Sequence, residues 1–222
     1  MQPLDWTQID TVLLDMDGTL LDLHFDNYFW LEHLPARYAQ IQGISREAAM
    51  ARLEPLFVDH AGKLTWYCLD FWGQELGLDL TQLKQEVAHL IAPQPGVFEF
   101  LQALSNAGKR SALITNAHRG SLSLKLERIE LAPYLDRIIS SHDYQKPKED
   151  PLFWQALEQD FGFEPSRTLF IDDSVPILRS AQRFGIGHLL GVRYPDSKQS
   201  AKDSQEFAAL EHWSQLTQML AP

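Results

Sequence analysis

Five short apolar runs punctuate the chain: Thr11–Leu14, Ser111–Ile114, Arg137–Ile139, Thr168–Ile171 and His188–Val192. Their length and unbroken apolar character predict strands buried on both faces. Between them, apolar positions recur at helical spacing. Pro95–Ala107 begins near a proline and stops at Gly108. Asp150–Phe161 has Asp150 as N-cap, Pro151 at the first helical position and Gly162 just past the end, and Val175–Phe184 stops at Gly185. Strands alternating with helices predict an α/β fold, a parallel sheet wound with helices on both faces.

Residues 23–92 break this alternation. They contain no convincing strand and carry helical patterns at Phe25–Ile41, Ser45–Phe57, Leu64–Leu76 and Thr81–Ile91, with Thr81 as the expected cap of the last. The interval reads as an all-helical domain inserted after the first strand. Residues 1–22 and 93–222 then form the core. The polar stretch Asp196–Ser204 is expected to be mobile.

Three of the strands end alike. The first runs into Asp15-Met16-Asp17-Gly18-Thr19, the second into Thr115-Asn116, and the fourth into Asp172-Asp173-Ser174. An open parallel sheet binds ligands beyond the carboxyl ends of its strands, so these clusters converge on one crevice. Like charges held close raise one another's pKa, and four carboxylates in one crevice need a cation. An all-oxygen set suits Mg²⁺, which also attracts and polarises a phosphate. A single Asp after a strand is most often a turn residue or a helix cap; the weight lies in three such endings together.

Composition narrows the partners. The formal net charge is -11 and there is no Lys/Arg cluster, which argues against a nucleic acid polymer. Cys68 is the only cysteine, so no intrachain disulfide or Cys-rich zinc site is expected. The stretch "MQPLDWTQID" carries acids where a signal peptide has basic and apolar residues, and no apolar run approaches the ~20 residues of a membrane span. The expected compartment is the cytoplasm.

"DMDGT" resembles the first motif of the haloacid dehalogenase superfamily, whose phosphatases carry DxDx[TV]. "LITN" resembles its second motif and "FIDDS" its acidic fourth. Order and spacing agree over essentially the whole chain. The resemblance implies a Rossmann-like core, a helical cap between the first two motifs, and Mg²⁺-dependent phosphate-ester hydrolysis. It makes Asp15 the nucleophile and Asp17 the general acid and base. Thr115 would contact a phosphoryl oxygen beside Asn116. Asp15, the Asp17 backbone carbonyl and Asp173 would hold the metal, with Asp172 close by. The third motif is a lysine before a helix, and "YQKPKEDPLFW" offers two. Pairing with the following proline selects Lys146. The helix register set by Asp150-Pro151 selects Lys148, the preferred reading.

The aromatic stretches "HFDNYFW" and "GKLTWYCLDFW", with "PKED", "LFIDDS" and "GVRYPDS", further resemble the bacterial GMP/IMP nucleotidases. That implies a purine 5'-monophosphate as the small-molecule substrate. A sugar-phosphate phosphatase, a phosphomutase and a non-catalytic phosphate-binding protein are the alternatives; retention of both Asp15 and Asp17 argues against the last. Aromatics at helical spacing usually form a bundle core, and the alternative here is a platform for a flat base. Arg37, Arg46, Arg52, Lys63 and Arg119 are candidates for polar substrate contacts, and His24, His60 and His118 read as structural or loop residues.

Overall fold

The computed structural model describes residues 4–220; the first three residues of the amino-terminal stretch discussed above lie outside the described residues. Among the described residues, six strands form one parallel sheet: β1 (Thr11–Leu14), β2 (Arg110–Thr115), β3 (Arg137–Ser140), β4 (Thr168–Ile171), β5 (His188–Val192) and β6 (Ala209–Leu210), in the order β3-β2-β1-β4-β5-β6. The two-residue β6 has too little pattern to be read from sequence.

Strand periodicity sends alternate residues to opposite faces. Val12 and Leu14 join a cluster with Phe100, Leu101 and Leu104 of α7 (Val97–Asn106), Trp213 and Leu216 of α12 (Trp213–Leu220), and much of the inserted helical region. Leu13 joins the other cluster, with Phe153, Trp154 and Leu157 of α10 (Pro151–Phe161) and Ile177, Leu178 and Ala181 of α11 (Val175–Phe184). β1 is therefore dry on both faces, which explains its unbroken apolar run. In register, Leu14 pairs with Leu113 on one side and Ile171 on the other. The residues that leave these strands thus emerge at one level.

The insertion after β1 is helical throughout. Helix α1 (His24–Tyr28) passes through a π turn (Phe29–His33) into α2 (Leu34–Gln42), which ends where Gly43 takes a left-handed φ of 64°. Helix α3 (Arg46–His60) is capped by Ser45, whose side chain accepts from Ala48 N. The expected helix over Leu64–Leu76 is two, α4 (Leu64–Tyr67) and α5 (Leu69–Leu76), because Cys68 is extended. The cap of α6 (Leu80–Glu86) is Asp79, which accepts from Gln82 N, rather than Thr81, which lies inside the first turn. Three helices lacked a clear sequence signal: α8 (Arg119–Arg128), α9 (Ser141–Tyr144) and α12.

The two chain crossings into the insertion lie side by side, with Asp22 N donating to Ala92 O (2.9 Å) and Gln94 N to Leu20 O (2.9 Å). The stretch Asp196–Ser204, expected to be mobile, is tied down at both ends. Asp196 and Ser204 are buried, and Asp196 accepts from Asn27 Nδ2 of α1 (2.7 Å) and from Lys198 N (2.8 Å). No helix among the described residues is long and apolar enough to cross a membrane.

Candidate active site

Asp15 follows the central strand directly, held by its own N–H donating to Ile171 O (3.0 Å). The chain then turns sharply. Gly18 has φ +84°, and a Cβ there would meet Asp173 Cγ at 2.9 Å and Pro195 Cβ at 3.1 Å. Only glycine permits both the turn and the close approach of the two acidic strand ends.

Lys148 is 1% exposed and reaches from the loop before α10. Its Nζ donates to Asp15 Oδ1 (2.5 Å), Asp172 Oδ2 (2.7 Å) and Ile114 O (3.2 Å). That loop is fixed by its backbone. Lys148 N donates to Asn116 Oδ1 (2.9 Å), and Lys148 O accepts from the buried Trp154 Nε1 (2.9 Å). Lys146 is half-buried, and its Nζ lies 3.7 Å from Asp150 Oδ2, away from the cavity lining. Asn116 also donates through Nδ2 to Glu149 Oε2 (3.0 Å), while Tyr67 of the insertion donates to Glu149 Oε1 (2.8 Å). Thr115 is buried, and its Oγ1 accepts from Ala117 N (3.0 Å).

Asp15, Asp172 and Asp173 each bring a carboxylate oxygen within 4.8 Å of the others. Asp15 Oδ2 is buried with no hydrogen-bond partner. Burial, the neighbouring Asp15 and the adjacent Asp173 push Asp172 well above the usual carboxylate range, against the pull of Lys148. Burial also raises Asp173, against Lys202, whose Nζ sits 2.8 Å from its Oδ2. Lys148 is raised in turn: its burial acts the other way, but Asp15 and Asp172 outweigh it. Crowded carboxylates, one orphaned oxygen and an all-oxygen donor set fit a hard divalent cation such as Mg²⁺.

Sequence reasoning missed a second charged network on the opposite wall. Lys125 of α8, buried, donates to Asp17 Oδ1 and to Asp26 Oδ2, both at 2.6 Å. Lys84 of α6, also buried, donates to Asp26 Oδ1 (2.7 Å) and packs over the rings of Phe25 and Phe29 at 4.9 and 4.7 Å. Burial raises Asp26, but the two ammonium groups overcome it and hold it well below its ordinary value. Asp17 goes the other way. Burial, with Asp26 and Asp15 nearby, outweighs Lys125, and the carboxyl is pushed up to about 7. In sequence these lysines look like surface charges. The available signal was position: Lys125 stands three residues after the buried Leu122, on the inward face of its helix.

The structure brings Asp15, Asp17, Thr115, Asn116, Lys148, Asp172 and Asp173 to one cavity of about 220 Å³. Trp30, Trp66 and Tyr67 also line it, with the two indoles stacked at 5.7 Å and 24°. Tyr28 does not; it is half-exposed and stacks on His33. The basic residues singled out for substrate contacts lie elsewhere. Arg37 pairs with Glu86, Arg46 with Glu32 and Arg119 with Asp143, and neither Arg52 nor Lys63 lines the cavity.

A parallel sheet whose central strand delivers a buried, lysine-paired aspartate into an acidic crevice, beside an inserted helical region, is the arrangement of a hydrolytic enzyme that works through an aspartate on a Rossmann-like sheet. The chain belongs to the haloacid dehalogenase-like hydrolases, whose family model matches residues 9–185. It is 42% identical over 211 residues to the GMP/IMP nucleotidase YrfG of Escherichia coli, covering 95% of each chain. It is 25% identical over 182 residues to the pyrophosphatase PpaX of Bacillus pumilus, covering 80% of each. Among solved structures, the HAD phosphatase from Thermococcus onnurineus superposes with a TM-score of 0.76 at 21% identity, covering 96% of this chain and 98% of that one, a likeness of fold.

Proposed function

We propose that the protein is a Mg²⁺-dependent phosphomonoester hydrolase that cleaves purine 5'-monophosphates, IMP or GMP, through an aspartyl-phosphate. The carrying observation is Asp15: one oxygen is held by Lys148, the other is buried and unpartnered, and the carboxylate clusters with those of Asp172 and Asp173. That free oxygen is the attacking atom. It forms a bond to phosphorus as the ester P–O bond breaks, and Asp17 passes its proton to the departing nucleoside oxygen. Water then attacks the phosphorus and gives its proton to Asp17, and the bond to Asp15 breaks, which restores both acids. Lys148 neutralises Asp15 and the phosphoryl oxygens, and Thr115 and Asn116 orient them. Asp15, the Asp17 carbonyl and Asp173 would hold Mg²⁺, with Asp172 alongside; when bound, it supplies charge neutralisation for the phosphoryl group.

Two observations support the purine preference: the relationship to a GMP/IMP nucleotidase, and the Trp30–Trp66–Tyr67 wall of the cavity. The cavity is smaller than the ~300–1,000 Å³ of pockets that enclose drug-sized ligands. On this reading residues 23–92 are a cap that swings on the paired crossings to admit the nucleotide and then excludes water. A panel of 5'-IMP, 5'-GMP, sugar phosphates and an aryl phosphate, assayed for released phosphate, tests it. Purine nucleotides should show the highest kcat/KM, and EDTA should remove activity that Mg²⁺ restores. A better sugar-phosphate substrate overturns the preference, and undiminished turnover after thorough chelation overturns the metal.

A further inference from the structure

Three side chains that the hydrolytic site does not use converge beside it. Cys68 stands at the break between α4 and α5, His118 caps α8, and His142 lies in α9. A ligand atom from each lies within 4.8 Å of the other two, and all three residues are half-buried. The two imidazoles meet edge to face, their centroids 5.0 Å apart at 87°. His142 Nε2 is buried and has no hydrogen-bond partner. Asp70 Oδ2 lies 3.6 Å from His118 Nε2 on the solvent side. Burial, and then the neighbouring His118, push His142 below its ordinary pKa, against the Asn116 backbone, Asp143 and Asp70. A neutral ring is the form that ligates metals.

We propose that Cys68, His118 and His142 form a binding site for one Zn²⁺-class ion, separate from the carboxylate site, and that this ion pins the helical insertion to the sheet domain. The donor chemistry sets the class. One thiolate and two imidazoles favour zinc and its neighbours, whereas Mg²⁺ prefers oxygen. Bond lengths of about 2.0–2.3 Å around a tetrahedral ion put donors roughly 3.3–3.8 Å apart, within reach of small side-chain rotations here. Binding releases the Cys68 proton to solvent and leaves the fourth position to water. The geography sets the consequence. Cys68 belongs to the inserted helices, while both histidines follow strands of the sheet. An ion bound by all three stabilises only the arrangement that brings them together. If turnover requires the cap to open, as the proposed function holds, such an ion slows it. Sequence gave no hint, because the three residues are far apart and form no Cys/His spacing motif.

The test uses the full chain in saturating Mg²⁺, titrated with Co²⁺. Four-coordinate cobalt thiolates absorb in the near ultraviolet and visible, and Mg²⁺ is silent. Cys68 is the only cysteine, so any thiolate-to-cobalt band from the monomer reports on it alone. One equivalent of Co²⁺ should produce the band and Zn²⁺ should discharge it. Cys68→Ser should abolish it, and His142→Gln should weaken binding at least about tenfold. Absence of the band in the wild type overturns the site, as does unchanged affinity in His142→Gln. Zn²⁺ should also slow wild-type turnover at saturating Mg²⁺ more than that of Cys68→Ser; equal slowing overturns the pinning. The spectral readout stands apart from phosphate release, so failure of the nucleotidase reading would not be mistaken for failure of this one.

Discussion

At the scale of single residues, the site rests on charges that are stable only in company. Asp15→Asn keeps the shape of the side chain and removes the attacking carboxylate. We expect a folded protein, by circular dichroism and melting, whose phosphate release falls to background; wild-type-like release would exclude covalent catalysis at this position. Lys148 makes a different kind of contribution. Its ammonium is shared by two buried carboxylates, so Lys148→Met leaves both uncompensated. Removing one partner of a buried ion pair destabilises by about 3–5 kcal/mol. A divalent cation at the same carboxylates would restore part of the missing charge. The expected signature is a melting temperature that Mg²⁺ raises more in Lys148→Met than in the wild type. An equal rise in both proteins would mean that the lysine and the metal do not share these acids.

At the scale of elements, the strands were legible and the cation-bearing helices were not. An apolar run that ends in polar residues suited to binding phosphate or metal is a pattern in one dimension, and β1, β2 and β4 carry it. Helix α8 conceals its inward face, because Ser121 and Lys125 are buried there among leucines. A buried Lys becomes understandable only when its partners, Asp17 and Asp26, arrive from other elements. The loop Asp196–Ser204 misled for the same reason: its polar residues find their partners in α1 and at Asp173. Lys148 could be set against Lys146 from the helix register, since a proline-initiated helix fixes where the preceding residues point. The aromatic wall admits an element-level test. Trp30→Leu or Trp66→Leu should lower kcat/KM for IMP by about 1–3 kcal/mol more than for a small aryl phosphate, as loss of a stacking face would. Tyr28→Leu, outside the cavity, should affect both substrates alike. Equal losses on both substrates for the two tryptophans, tracking melting temperature, would reduce them to bundle packing.

At the scale of the whole molecule, the inserted helices and the sheet share one hydrophobic cluster, and specific polar ties fix how they meet. Asn27 of α1 lines the cavity and donates to the buried Asp196, and Leu23 N donates to Pro195 O (2.8 Å). Asp196→Ala should therefore loosen the seat of α1, lowering stability by about 1–3 kcal/mol for the stranded donors. It should also raise KM for the nucleotide more than it lowers kcat, as steady-state kinetics would show. An unchanged KM would separate this tie from substrate binding. The strand order carries a consequence for how the chain is made. β1 leaves the ribosome ahead of the other five strands, yet one of its edges waits for β4, the whole insertion and two further strands later. Until residues 168–171 emerge, a dry, four-residue strand has an open edge, and the nascent chain is most exposed to pairing with its neighbours. Ribosome-bound chains halted before residue 168 should accordingly recruit holdase chaperones and lack protease protection, and chains extended past β5 should gain that protection together with the assembled acidic crevice.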